Sequence, residues 1–370
     1  MYRFIVIVLI VLFVACRPDH VVKSSTKVYK DQVATQFFHR TSGWIASDGA
    51  LSVPLSDGRT LWLMGDSHID DFDETTGTIP LLFQVRNAAL LQPACEWDWT
   101  NTQTLIGSGA GIKSLFKETK NDSVWLWPGN GIQIEDTVFI YCSELTKFGS
   151  GSLGFRSTGN EMWAKMKFPE MEVVGYQHLP DFEGINFGAG FIAADDKEHV
   201  YAFGQKLVPE TAGSNVFVGR FQVENPDAPW EYWDGSAWNI DIKKLVPVAQ
   251  AAISPHVSKI GDTFLVLSTE LSVGCDQGRT IFLSKGQKAT GPFDEMMALY
   301  TIDDTVRGHY PFFYSVAAHP QFSDENSSEN LLVTYCINGY APCFEPENGR
   351  LNPNHYRPRA IRLSLDENLK

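Results

Sequence analysis

Two aspartates define the chemistry this chain could perform. Asp48, in SDGALSVPL, and Asp66, in LMGDSHID, stand at opposite ends of one hairpin whose turn is Ser56-Asp57-Gly58, so strand pairing across the turn brings both carboxyls to one rim. Two carboxylates held close together repel, which raises the pKa of one and separates an acid from a base. Hydrolysis of a glycosidic bond needs that division, with one carboxyl protonating the leaving oxygen and the other activating water or attacking the sugar. Glu183, in LPDFEGINFGAG, is the third carboxylate expected to take part.

The elements that position these residues repeat along the chain. Short alternating runs of β-branched and aromatic residues, bounded by Gly, Asp and Asn, dominate over helical periodicity and predict an all-β fold. Aligned at their turn residues, Gly58 opens RTLWLMGD, Asp136 opens TVFIYCSE, Glu198 opens HVYAFGQK, Asp262 opens TFLVLSTE and Asn330 opens LLVTYCIN, at spacings of 78, 62, 64 and 68 residues. Each run follows another apolar run, so each unit starts as a hairpin. Five such units of four antiparallel strands, closed radially, make a five-bladed β-propeller without exposed edges.

Eight residues past the turns come Asp66, Glu144, Lys206, Glu270 and Asn338, all polar and all expected at one face. The starts of the first strands add Asp48, Asn130, Glu183, Asn186, Ser254 and His309, with Trp44, Trp125, Trp127, Phe182, Phe187 and Tyr310 close by in sequence. A polar pocket rimmed by aromatics suits a sugar, whose hydroxyls take paired hydrogen bonds and whose C–H face packs on a ring. The residues expected to bind substrate are Arg86, Asn87, Trp127, Asn130, Glu144, Asn186, Lys206, His256, Glu270 and Tyr310. Glu144 and Glu270 are expected to hold hydroxyls or orient Arg86 rather than to move protons.

Charge and spacing exclude other chemistries. With 30 basic against 44 acidic residues the net charge is −14, and without a cluster of Lys and Arg there is nothing to grip nucleic-acid phosphates. His68, His256, His309, His319 and His355 show neither HxH nor HExxH spacing, so no zinc site is expected. No cofactor is expected either; the acidic stretch DSHIDDFDETTG leaves calcium as a lesser alternative, although it lacks the EF-hand spacing.

The first residues predict export. An apolar run from Phe4 to Ala15, too short to span a bilayer as a helix, ends at Cys16 in a Phe13-Val14-Ala15-Cys16 stretch like a bacterial lipobox. Residues 1–15 are thus expected to be a signal peptide, with Cys16 the lipid-attachment site, 16–40 a linker and possible closing strand, and 41–370 one propeller domain in a monomer anchored in the bacterial cell envelope, periplasmic or at the surface. Cys95, Cys142, Cys275, Cys336 and Cys343 remain, an odd number without a CxxC pair. This argues against a disulfide framework, with Cys336 and Cys343 flanking a short loop as the pair placed to bridge.

The stretch GWIASDGALSVPLSDGRTLWLMGDSHID, the following VRNAALLQ, and the later WEYWDGSAW and YRPRAIRLSL resemble the bacterial propeller families described as domains of unknown function 4185 and 5005. Those groups resemble the five-bladed glycoside hydrolases of families 43 and 32, and some 4185 members are endo-acting arabinanases. The resemblance implies that Asp48 and Asp66 are active-site carboxylates and that arabinan-like furanosides are among the candidate substrates. It departs from family 43 at Ser254-Pro255-His256, where an acid glutamate would be expected on the first strand of a later blade. Two functions follow as expectations: an exported glycoside hydrolase acting on a polysaccharide or oligosaccharide, or a non-catalytic glycan-binding propeller using the same pocket.

Overall fold

The computed structural model describes residues 28–117, 123–149, 154–209, 211–323, 329–340, 343, 345–346 and 349–364; Cys16 and the segment expected to be a signal peptide lie outside them. The chain forms five antiparallel sheets. The first pairs β2 (Trp44–Pro54), β3 (Thr60–Ile69), β4 (Ala88–Gln92) and β5 (Gln103–Leu105), and the second β6 (Val124–Ile134), β7 (Thr137–Lys147), β8 (Phe155–Lys167) and β9 (Glu172–His178). The third runs β10 (Asn186–Ala193), β11 (His199–Val208), β12 (Gly213–Gln222), β13 (Glu231–Trp233) and β14 (Trp238–Asn239), with β15 (Ala249–Ala251) added beside β12. The fourth pairs β16 (Ile253–Ile260), β17 (Thr263–Thr269), β18 (Thr280–Gly286) and β19 (Met297–Thr301). The fifth has β20 (Phe312–His319), β21 (Glu329–Asn338) and β22 (Arg359–Ser364), and its fourth strand is β1 (Val28–Lys30) from the other end of the chain.

The five innermost strands β2, β6, β10, β16 and β20 contact one another in a closed cycle, which makes the fold a five-bladed β-propeller. Each neighbouring pair of blades buries its own hydrophobic core. Between blades 1 and 2 this is aliphatic, built on Leu61, Leu63, Ile140 and Met162. Between blades 2 and 3 it is aromatic, with Trp163, Phe187 and Phe221 each in ring contact with Trp230. Alternation explains this double burial, since a strand inside a propeller turns one face to each neighbouring blade. All ten residues of β3 are buried.

The ring is closed by the segment expected to be a linker and possible closing strand. Asp31 caps the short helix α1 (Gln32–Phe37) through Oδ1 to the Ala34 amide at 2.9 Å. Its Oδ2 lies 2.7 Å from Arg362 Nε, and both side chains are buried. Arg362 also donates to the carbonyls of Phe322 and Asn330. The propeller therefore starts before residue 41, and its first and last described segments are fastened by a buried ion pair.

The cysteine expectation needs correction. Cys343 is bonded to Cys275, which joins the loop after β17 to the loop after β21 on the adjacent blade. Cys336 is buried within β21, where its thiol faces the Gly49 carbonyl of β2 rather than the loop.

Candidate functional site

At one end of the ring the inner strands surround a cavity of about 850 Å3, near the upper end of the range usual for small-molecule sites. The first strand of every blade carries one or more extra residues where it borders this cavity, as the shifts between Pro128 and Gly131, Asn186 and Gly190, Ile253 and His256, and Tyr314 and Ala317 show. Such bulges bend a strand and re-aim its side chains.

Blade 1 alone adds a bulge on the partner strand as well. Ser47 faces Ser67 and Gly49 faces Met64, so β3 spends Gly65 and Asp66 against the single residue Asp48. Ala50, at φ 57°, then restores the register before Leu51 meets Leu63. Asp48 and Asp66 thereby come to one level on the cavity wall, where both carboxyls line it.

Their surroundings differ. Asp48 accepts a hydrogen bond from the Tyr314 hydroxyl at 2.9 Å and another from Tyr356. Burial, reinforced by the negative charge of Asp66, pushes its carboxyl up to about 7 against the pull of these hydroxyls. Asp66 is buried with Arg86 Nη1 at 3.3 Å from both its oxygens and Trp127 Nε1 at 3.3 Å from Oδ1. Burial raises the Asp66 carboxyl too, but the Arg86 charge and the Trp127 N–H oppose it. Arg86 is itself held with its guanidinium 4.5 Å from the Trp125 ring centre. Both carboxyls are thus raised by burial, but only Asp66 has a cation beside it to oppose the shift.

Gly65 is fixed by this arrangement. A Cβ at position 65 would overlap the Asp48 Oδ1 atom. Gly65→Ala is expected to push the carboxyl out of register with Asp66; a misplacement of about 1 Å can cost a reaction on the order of a hundredfold. The check is turnover or ligand affinity of the variant beside its denaturant midpoint, because overpacking alone should destabilise by only about 1–3 kcal/mol.

The sequence of residues 31–365 matches the family described as domain of unknown function 5005. The chain belongs to that family. No curated protein matches it. Among solved structures, a Bacteroides ovatus protein described only provisionally as a hydrolase shares the fold with a TM-score of 0.73 and 19% identity, over 92% of this chain and 91% of its own. The xylan β-1,4-xylosidase of Bacillus halodurans superposes with a TM-score of 0.51 and 12% identity over 87% of this chain, which spans about half, 53%, of the xylosidase.

The DUF5005 cavity gathers most of the other residues expected from the sequence. Trp127, Asn130, Asn186, His256, Glu270 and Asn338 all line it. Asn130 reaches the Gly188 carbonyl at 2.8 Å, and Asn186 donates to Ser143 Oγ at 2.7 Å. His256 is buried, accepts the Ala318 amide at Nδ1 and is pushed by burial down to about 4, so it is a neutral ring at physiological pH. Glu270 is committed to its own loop: its carboxylate accepts the amides of Arg279 and Thr280, which hold it below the usual range although burial works the other way.

Five expected residues are placed elsewhere. Asn87 is buried in the blade 1–2 junction, bonded to the carbonyls of Phe116 and Leu126 and to the Phe116 amide. Glu144 turns away to Thr158 and Asn160, because the alternation in β7 gives the cavity Ser143 instead. Lys206 likewise yields the wall to Gln205 and donates to the Glu183 carbonyl at 2.7 Å. Glu183 itself sits exposed in the turn before β10, at φ 55°, and is no third carboxylate of the cavity. Tyr310 stacks against the Arg279 guanidinium, 3.8 Å from its ring centre. Of the aromatics, Trp125 and Trp127 line the cavity while Trp44, Phe182 and Phe187 serve the cores.

Several residues escaped the sequence reading. Tyr314 and Tyr356, both on the cavity wall, reach Asp48 from the last blade. Behind Ser143, the buried Glu161 carboxyl is pushed up to about 7 by burial and bonds Ser143 and Tyr141. In the acidic loop, Asp70 accepts the Gly43 amide and Asp73 caps the amides of Thr75 and Thr76. Among the described residues, no three His, Cys, Asp or Glu side chains come together as a metal site would require.

Proposed function

We propose that the chain is an exported glycoside hydrolase in which Asp48 is the proton donor and Asp66 the ionised partner. The observation that carries this reading is the asymmetry of the pair, one carboxyl raised to about 7 beside another that is paired with Arg86. In the forward step the Asp48 proton passes to the glycosidic oxygen as the bond to the anomeric carbon breaks. Asp66 either takes a proton from the attacking water or adds to the anomeric carbon itself. Asn130, Asn186 and the neutral His256 supply hydrogen bonds for sugar hydroxyls, and Trp127 supplies a ring for a C–H face. The fold shared with a xylosidase supports a carbohydrate substrate.

One observation favours a second reading, glycan capture without hydrolysis: Glu270, the remaining carboxylate on the wall, is tied up by backbone amides. Incubating the mature domain with arabinan, xylan and galactan, and following released oligosaccharides by chromatography, separates the two. Release of products is expected. Retention of a polysaccharide without any release would leave only the binding role.

We further propose that Cys16 carries a lipid and fastens the propeller to the cell envelope, as the short apolar run before it suggests. Cys16→Ser is expected to move the protein from the membrane fraction to the soluble one on fractionation. Full membrane retention of that variant would contradict the anchor.

A further inference from the structure

The cavity has two chemically distinct ends. Deep in the ring its polar residues are nearly closed to solvent, with Asp66, Asn130, His256 and Asn338 each 5–6% exposed. At its mouth stand large apolar side chains that remain open: Phe83 at 45%, Leu271 at 41% and Val273 at 60% exposed. Phe83 belongs to blade 1 and the other two to blade 4, which are not neighbours in the ring of five, so they face each other across the opening.

The loop carrying Leu271 and Val273 is braced to keep them there. Cys275 bonds it to Cys343 of blade 5, Asp276 accepts the Tyr310 amide, Gln277 accepts the Val273 amide, and Glu270 caps the loop's return at Arg279 and Thr280. Phe83 is backed edge-on by Tyr356 with ring centres 5.5 Å apart. Branched aliphatic groups offer no flat platform for a sugar and no hydrogen bonds for its hydroxyls. Held rigid and uncovered beside a polar cavity, they are suited to an apolar group on the ligand, and the bracing removes the ordering cost of binding one.

We infer that the mouth is a subsite for an alkyl or acyl group, so that the ligand is a glycoside with its sugar at the polar floor and an apolar substituent between Phe83 and the Leu271–Val273 loop. This rests on the carbohydrate reading of the same cavity. Burying roughly 55 Å2 of substituent at this rim corresponds to about tenfold in affinity.

The test is calorimetric titration of the protein with methyl and hexyl glycosides of xylose, arabinose and galactose, and with 1-hexanol, using wild type and a Leu271→Ser/Val273→Ser double variant checked for folding by circular dichroism. For at least one sugar the hexyl glycoside is expected to bind about tenfold more tightly than the methyl glycoside. The double variant should lose that gain while binding the methyl glycoside within twofold of wild type. Equal binding of hexyl and methyl forms, or a gain that survives in the double variant, overturns the inference and leaves the carbohydrate reading standing. Hexanol binding as tightly as the hexyl glycosides, or no binding of any glycoside, overturns both.

Discussion

Asp48→Asn and Asp66→Asn are each expected to lower turnover by at least about a hundredfold, the lower end of what a positioned acid or base contributes. An amide at 48 keeps the shape and still accepts from Tyr314, but it has no proton to give; an amide at 66 keeps the contact with Trp127 and loses the charge that Arg86 holds. The pH dependence should differ between the two. Wild-type turnover should fall as pH rises through about 7, where Asp48 gives up its proton. Stability follows the same group: its folded pKa lies above the ordinary carboxylate value, so its favourable contribution is complete below about 4 and is lost as pH rises toward 7. Denaturant midpoints of wild type and Asp48→Asn should therefore diverge between pH 4 and 8, with the variant gaining relative to wild type at the alkaline end. Variants that both keep near-full rates would place the chemistry elsewhere on the cavity wall.

The second large effect is on stability. Arg362→Met is expected to cost about 3–5 kcal/mol, since it strands the buried Asp31 carboxylate and leaves the carbonyls of Phe322 and Asn330 without their donor. Because Asp31 follows β1 and Arg362 lies on β22, the loss falls on the closure between the first and last described segments of the ring. Equilibrium unfolding in urea measures it. A loss under 1 kcal/mol would mean that strand pairing and the surrounding core hold the closure without the ion pair.

The parts of this structure that were legible in the sequence are those a local pattern determines. A turn residue followed by an apolar run recurs five times, and each recurrence is a blade. Asp48 and Asp66 flank a single turn, so their proximity needed no knowledge of the rest of the chain. Side-chain parity was less accessible. The period of a strand is two, so one residue of slip moves a side chain to the opposite face, and this is how Ser143 and Gln205 took the wall positions expected for Glu144 and Lys206. Bulges beside the cavity carry no sequence signature strong enough to count through. The partners that tune Asp48 were hidden for a different reason: Tyr314 lies 266 residues away and meets it only when the ring closes. Cys343 misled for the same reason, because its partner Cys275 is distant in sequence and adjacent only across two blades.

The claim on which the chemistry depends is that Asp48 keeps its proton near neutrality while Asp66 does not. Infrared difference spectroscopy across a pH titration, with wild type set against Asp48→Asn and Asp66→Asn, observes that proton directly through the carbonyl stretch of a protonated carboxyl. Glu161 also titrates in this range, so the expected result is a band near pH 7 with two components: the Asp48 component is missing in Asp48→Asn and titrates at lower pH in Asp66→Asn, where the neighbouring charge has gone, while the Glu161 component persists in both variants. A wild-type spectrum in which no carboxyl assignable to Asp48 remains protonated above about pH 5 would contradict the account.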